Sequence, residues 1–342
     1  MESKRQSGIL LLLLLVLPIA FALQLFLGSV HLSPIEIWQV LIGNATNSVH
    51  QIIVLENRLP GALAAVIAGA ALSVSGLQMQ IMFRNPVAGP YILGVSSGAS
   101  LGVALLLMGV QWLPYKHILM QWAQMPFSIA IAAAVGATAV FFMVFIISFS
   151  IRQSVSLLII GLMISSAIAA LVELLQAFSG KDELQKFVWW GFASFRQLNL
   201  QEVKVMYAVC SIGLLFSFSI VKPMQALLGG ELFAETVGVN VASLKRKIVL
   251  STAILAGTTT AFCGPIAFVG LAVPHICRSL FKTSNTATLM LSSALTGAII
   301  CCLCNVASSV PGSDWVLPLN TITSLLGAPF VVYIILKKPS LS

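Results

Sequence analysis

The chain has 342 residues, 58% hydrophobic and 8% charged, with a mean hydropathy of +1.02; soluble domains carry roughly 25% charged residues, so a soluble globular fold is excluded and the chain reads as a membrane protein. A bilayer core of about 30 Å takes roughly 20 apolar residues per helix, which leaves room for about ten to twelve spans and no soluble domain beside them. The net charge of +8 does not indicate nucleic acid, because Lys and Arg come singly or in short groups between apolar runs and not along one polar face.

The N-terminal "MESKRQS" followed by "GILLLLLLVLPIAFA" fits a signal peptide, with Ala20 and Ala22 in an A-x-A arrangement. The apolar run continues through "LQLFLG" to Gly28, so it reads as an uncleaved first span, with cleavage as the alternative. Further runs long enough to cross lie at about 60 to 82, 92 to 110, 127 to 149, 155 to 178, 203 to 221, 248 to 263, 287 to 310 and 317 to 336. A tenth segment, "GPIAFVGLAVPHI" from Gly264 to Ile276, is short and broken by Pro265 and Pro274. A broken span survives in lipid only where neighbouring helices or a polar cavity satisfy its freed backbone groups. If it crosses, there are ten spans and both termini share a side.

The positive-inside rule tests that arrangement. With a cytoplasmic N-terminus, the inner face collects Lys4, Arg5, Arg84, Arg152, Lys222, Lys245, Arg246, Lys247, Arg278, Lys282, Lys337 and Lys338. The outer face holds Arg58, Lys116, Lys181, Lys186, Arg196 and Lys204, with the acids Glu36, Glu56, Asp182, Glu183, Glu202 and Asp314. The excess of inner cations supports this orientation. Two helices also align without gaps: "AAVIAGAALSVSG" (64 to 76) and "TAILAGTTTAFCG" (252 to 264) share Ala65/Ala253, Ala68/Ala256, Gly69/Gly257 and Gly76/Gly264. Inverted-topology repetition and simple small-residue helix packing both account for it.

Three connections stand out. "FRNPVAGPYILGVSSGAS" (83 to 100) holds Asn85, Pro86, Pro90, Gly94, Ser96 and Gly98; the prolines forbid a continuous helix and the glycines allow tight turns, so it reads as a specialised, protein-packed turn that lets the chain reverse and re-enter. "KPMQALLGGELFAETVGVNVASLKRK" (222 to 247) is amphipathic and unlike a lipid-spanning helix. Two short helices hinged at Gly229-Gly230 and Gly238 would present an apolar and acidic surface to a cytoplasmic partner, with a merely interfacial helix as the alternative. In "FVGLAVPHICRSLFK" (268 to 282), His275 follows Pro274 and reads as a structural residue, because no second His or carboxylate lies at helical spacing to complete a metal or proton site.

Cys210, Cys263, Cys277, Cys301, Cys302 and Cys304 all fall in or beside apolar segments and read as small packing residues, with a metal or redox role for "CCLC" as the alternative. Glu173 alone among ionisable residues lies well within a span, close enough to its outer end to snorkel. No G-x-x-x-x-G-K-[ST], H-E-x-x-H or G-x-S-x-G motif occurs. A transporter with no energy source of its own and a large cytoplasmic loop points to a nucleotide-hydrolysing subunit elsewhere. An ion-coupled transporter is disfavoured by the scarcity of intramembrane charge, and an intramembrane enzyme using His275 and a cysteine by the lack of partner residues.

The stretches "RLPGALAAVIAGAALSVSGLQMQIMFRNPVAGPYILGVSSGASLG", "LLGGELFAETVGVNV", "GPIAFVGLAVPHICR" and "LLGAPFVVYIIL" resemble, in order from about residue 55 to 337, the FecCD family of permeases, which import iron-siderophores, haem and vitamin B12. The resemblance implies an all-α, polytopic type II ABC importer permease with ten helices, one transmembrane domain over 1 to 342, in a bacterial cytoplasmic (inner) membrane with both termini cytoplasmic. It implies a second permease copy, separate ATP-binding subunits and a periplasmic or lipid-anchored binding protein as partners, with ATP used by the ATP-binding subunit and no catalytic, cofactor or metal site in this chain. Residues 225 to 244 would form the coupling helices, through Leu228, Gly229, Gly230, Glu231, Glu235, Gly238 and Val239. Asn85, Pro86, Pro90, Gly94, Ser96 and Gly98 would lie close to the cytoplasmic gate; Gly264, Pro265, Pro274 and His275 would be structural; the path would be lined largely by 155 to 178 and 317 to 336. Arg58 would dock the binding protein. Three positions depart from the family pattern: Gly61 stands where "RLPR" has its second Arg, Ser309 where some members carry a further Arg, and Asn320 where "LPxG" has Gly. Either the docking interface differs or outer charges such as Lys181, Lys186 and Arg196 substitute.

Overall fold

In the computed structural model, the described residues are 2–28, 30–44, 47–112, 127–149, 154–309 and 316–337, with 121, 125 and 151. Their regular structure is helical, with no strand among them. Lys116, Arg152, Asp314 and Lys338 lie outside the described residues.

The helices are α1 (Glu2–Phe26), α2 (Pro34–Leu41), α3 (Ser48–Gln51), α4 (Leu59–Phe83), α5 (Val95–Leu107), α6 (Ser128–Ile147), α7 (Ser154–Ala177), α8 (Lys181–Gly191), α9 (Leu200–Ser219), α10 (Val221–Leu228), α11 (Glu231–Thr236), α12 (Val241–Cys263), α13 (Val269–Phe281), α14 (Thr286–Ser308) and α15 (Leu319–Lys337). Among the described residues six are long and apolar enough to cross a membrane: α1, the α3–α4 rod, α6, α7, α9 and α14. The remaining expected spans fall on the shorter apolar helices α5, α13 and α15 and on α12, whose first turns carry Lys245, Arg246 and Lys247. Every segment read as a span therefore carries a helix. The second is longer than its apolar run: α3, a π-helical stretch Ile52–Arg58 and α4 form one rod over Ser48–Phe83, about 54 Å at the α-helical rise. Its widened turn immediately precedes Pro60, whose ring cannot donate to the preceding turn and crowds it.

By internal packing the chain forms two compact units. The first comprises Met1–Leu77, Ala193–Ala208 and Ile266–Ser342. Its tightest crossings lie along α4, where a Cβ on Gly69 would overlap the Gly297 carbonyl of α14 and one on Gly76 the Gly270 carbonyl of α13. Without side chains at these points, backbones approach closely enough for dispersion to replace the hydrophobic drive that lipid does not supply. At one end, Leu25, Leu32, Ile37, Val40, Val54 and Ala62 form an apolar cluster under α2, whose N-terminus is closed by a Ser33/Glu36 capping box. Those hydrogen bonds from Ser33 draw the Glu36 pKa down.

The second unit comprises Gln78–Phe192 and Val209–Pro265. Here α5 lies on α6 through Gly98, Gly102 and Gly136, where a Cβ on Gly102 would overlap the Ala132 carbonyl. Inside it, Gln78 Nε2 donates to Ser251 Oγ at 3.1 Å, and Ser251 and Ser217 share a hydrogen bond of 2.6 Å. All three residues are fully buried, so side chains satisfy each other where water is absent. The aligned glycines of α4 and α12 serve differently: Gly69 and Gly76 permit backbone contact, whereas Gly257 has Val95 and Ala137 at ordinary contact distance.

Candidate functional site: a glycine-hinged loop and two proline-broken turns

The connection after α9 carries the most unusual surface. It folds as α10 and α11, separated by Gly229 and Gly230 and followed by Gly238. Gly230 has φ +109° and Gly238 φ +87°, a region open to glycine and strained for other residues. Met224, Leu227 and Ala234 are buried, while Leu232, 81% exposed, stands out with Phe233 and Val237, beside exposed Glu235. Leu228 and Val239 are half-buried at the two edges. The loop is tied down by Lys245 of α12, whose ammonium meets the Glu231 carboxylate at 2.8 Å, and by the Asn240 cap, which accepts from Ser243 N–H at 2.9 Å. Arg246, next along α12, lies over the Phe149 ring at 4.8 Å. The two acids of the loop thus differ: Glu231 is held in an ion pair and Glu235 faces outward.

The 83–100 stretch lies in the same unit. After α4 ends at Phe83, Arg84 takes φ +47°, the Asn85 side chain accepts from Val87 N–H at 3.0 Å, and Pro90–Leu93 make one 3₁₀ turn before Gly94, at φ +75°, opens α5. Pro86 and Pro90 sit where the helical ladder is already interrupted. Ser96 is half-buried and Gly98 buried; a Cβ on Gly98 would crowd the Gly136 carbonyl and Val140. The sequence does not show where this turn lands: a Cβ on Gly230 would lie 3.6 Å from Arg84 Nη1, so the first residue of the turn rests against the glycine hinge of the loop.

Residues 264–267, where the chain passes from the second unit to the first, are non-helical, and α13 spans only 13 residues, with Pro274 inside it. Gly264, at φ +76°, ends α12, and Pro265 follows in the irregular segment. The amide freed there is caught: Ala267 N–H donates to Asn320 Oδ1 of α15 at 3.0 Å. Asn320, which the resemblance marks only as a departure, thus satisfies the broken span. His275 is half-buried in α13, and among the described residues no three His, Cys, Asp or Glu converge on a point that could hold a metal. All six cysteines are buried and none forms a disulfide. Glu173 is exposed in the last turns of α7. An apolar cavity of about 220 Å³ between α13, α14 and α15 is lined by Phe268, Ile300 and Phe330 among others, with Cys304 and Thr323 as its polar members and no charged group.

Arg58 is not spread on the surface. Its guanidinium donates to Leu25 O at 2.6 Å, to Phe26 O at 3.3 Å and to Val30 O, closing the carbonyl end of α1 as a cation does at a helix C-terminus. Arg196, which sequence reasoning named only among possible substitutes, donates to Ser309 Oγ and lines the same small cavity as Arg58. Burial draws the Arg196 pKa below its ordinary value.

Comparison with known proteins gives this arrangement its relatives. The FecCD transport family model matches residues 13–337. The hemin transport system permease protein HmuU of Yersinia pestis is 32% identical over 347 residues, covering 98% of this chain and 97% of the relative. The vitamin B12 import system permease protein BtuC of Vibrio parahaemolyticus is 30% identical over 345 residues, covering 98% and 96%. A solved structure described as a metal-chelate type ABC transporter in an inward-facing conformation superposes with a TM-score of 0.83 at 27% identity, over 97% of this chain and 100% of that one. The chain belongs to the FecCD transport family, and its fold is that of an ABC transporter permease.

Proposed function

We propose that this chain is the membrane permease subunit of an ATP-driven importer for an iron chelate, haem or corrinoid. Its relatives carry hemin and vitamin B12 by name, at nearly equal identity, so the reading extends to that class of large chelated cargo and stops short of one member. The observation that carries it is the hinged loop: an exposed apolar and acidic face on two short helices, between glycines that permit a fixed, sharp geometry. In this reading Leu228, Gly229, Gly230, Glu231, Glu235, Gly238 and Val239 shape the face that sits on a cytoplasmic ATP-binding subunit. ATP is bound and hydrolysed there, and no covalent step belongs to this chain. Closure of the ATP-binding subunits moves the loop, and through the contact of Arg84 with Gly230 the turn around Asn85, Pro86 and Pro90 moves with it. A binding protein docks at the opposite face with Arg58 near its footprint, a second permease copy completes the path, and both termini are cytoplasmic in a bacterial inner membrane.

The test is purification of the tagged protein from its native membranes and weighing of what accompanies it, paired with Glu235→Lys. An ATP-binding subunit at one copy per permease is expected. The Glu235→Lys variant should fold and insert as the wild type does yet lose that subunit, and uptake of iron chelate, haem or cobalamin should fall about tenfold or more. Glu235 is a cleaner probe than Glu231 because it holds no ion pair with Lys245. A permease that purifies alone and transports without ATP after reconstitution overturns the reading.

A further inference from the structure

We infer that the cavity between Arg58 and Arg196 is a binding site for a small inorganic anion, of the size of a halide. Five observations converge there. Arg58 and Arg196 line one cavity whose described lining, which includes Gln24, Asn57, Asn305 and Ser309, contains no carboxylate. Neither arginine is in an ion pair among the described residues; their recorded partners are neutral carbonyls and the Ser309 hydroxyl. Because both arginines line this one small cavity, their like charges repel across it. Gln24 is 5% exposed, and its amide nitrogen is buried without an acceptor, although its oxygen accepts from Asn305 Nδ2 at 3.2 Å. The cavity measures about 10 Å³, room for roughly one water-sized occupant.

A buried donor without an acceptor is costly, as are two partly desolvated cations without a counter-charge. A neutral water would serve Gln24 but leave the repulsion between the arginines untouched. An anion answers both, and the volume selects a monatomic ion over an organic acid. The excess positive charge is built into the fold, because Arg58 is held by the end of α1 and Arg196 by Ser309 at the end of α14. The ion would therefore tie α1, the α3–α4 rod, the segment before α9 and α14 together at one point. This inference does not depend on what the permease carries.

The test measures thermal unfolding of the purified full-length protein in detergent, in sodium chloride and in sodium gluconate at equal ionic strength. Chloride at about a tenfold excess over its dissociation constant should raise the midpoint by about 2 °C over gluconate, saturably. Arg196→Gln and, separately, Gln24→Leu should each erase the chloride increment, while Lys181→Gln, at an exposed cation that is not among the cavity's lining residues, should retain it. If Arg196→Gln does not fold, Gln24→Leu alone decides, since it removes the orphaned donor without removing a charge. Equal midpoints in the two salts overturn the site, and so does an increment that survives in Gln24→Leu.

Discussion

Asn320 shows how one side chain can permit an irregular backbone in lipid. Residues 264–267 leave the helical ladder, and a freed amide in a hydrocarbon environment costs several kcal/mol if nothing accepts it. The Asn320 oxygen at 3.0 Å from Ala267 N is that acceptor, so glycine at 320 would leave the amide to water or to another group. Asn320→Leu should therefore destabilise the protein by about 1–3 kcal/mol and raise exchange at the Ala267 amide, measured by hydrogen–deuterium exchange in detergent. Asn320→Asp keeps the acceptor and should restore protection. Unchanged exchange in Asn320→Leu would show that the amide is satisfied elsewhere. The position is legible in the sequence only as an oddity, an Asn at the start of an apolar run. Its partner lies 53 residues away, and no local pattern links the two.

Helices in this chain meet through what they lack. The rod over Ser48–Phe83 presents Gly69 to α14 and Gly76 to α13, and α5 meets α6 through Gly98, Gly102 and Gly136. Spacing of small residues along an apolar helix foretells close packing, but not the partner, because any smooth face fits another. Gly76→Leu forces a side chain into the Gly270 carbonyl, where only backbone could yield. Loss of folded protein is expected, seen as aggregation in size-exclusion chromatography, whereas the same change at Gly257, where neighbours stand at 3.4 Å or more, should be tolerated better. Equal behaviour of the two variants would refute the close crossing. The hinged loop is the opposite case. Two short helices and their hinges follow from the glycines and the mixture of Leu, Phe and Glu, and α10, α11, Gly230 and Gly238 appear where that pattern puts them. The rest of the loop's character was not local: the Lys245 pairing that holds the Glu231 carboxylate, and the approach of Arg84 to Gly230, join residues 14 and 146 positions apart.

Charge sets the orientation of the whole molecule. Inner loops rich in Lys and Arg resist translocation, so the loop bearing Lys222, Lys245, Arg246 and Lys247 should face the cytoplasm, and the helix bearing Lys181 and Lys186 the outside. Leu232→Cys should accordingly react with a membrane-impermeant maleimide in inverted vesicles and not in intact cells, and Lys181→Cys the reverse. Both positions are exposed, and the six native cysteines are buried, so background labelling should be low. Reversed labelling would invert the topology and with it the cytoplasmic placement of the loop.

The sequence by itself determined the solvent, the apolar segments that carry helices, the two proline-broken segments and the loop that must do something other than span, because hydropathy, proline and glycine act through short-range geometry and the transfer of each residue to lipid. Only the tertiary structure decided that Arg58 closes the end of α1, that Arg196 reaches Ser309, that Asn320 holds Ala267, and that Arg84 rests on Gly230. Each of these is a polar or charged group whose energy depends on a partner far along the chain, and in a low-dielectric interior that partner, and not the residue's own type, fixes what the group does.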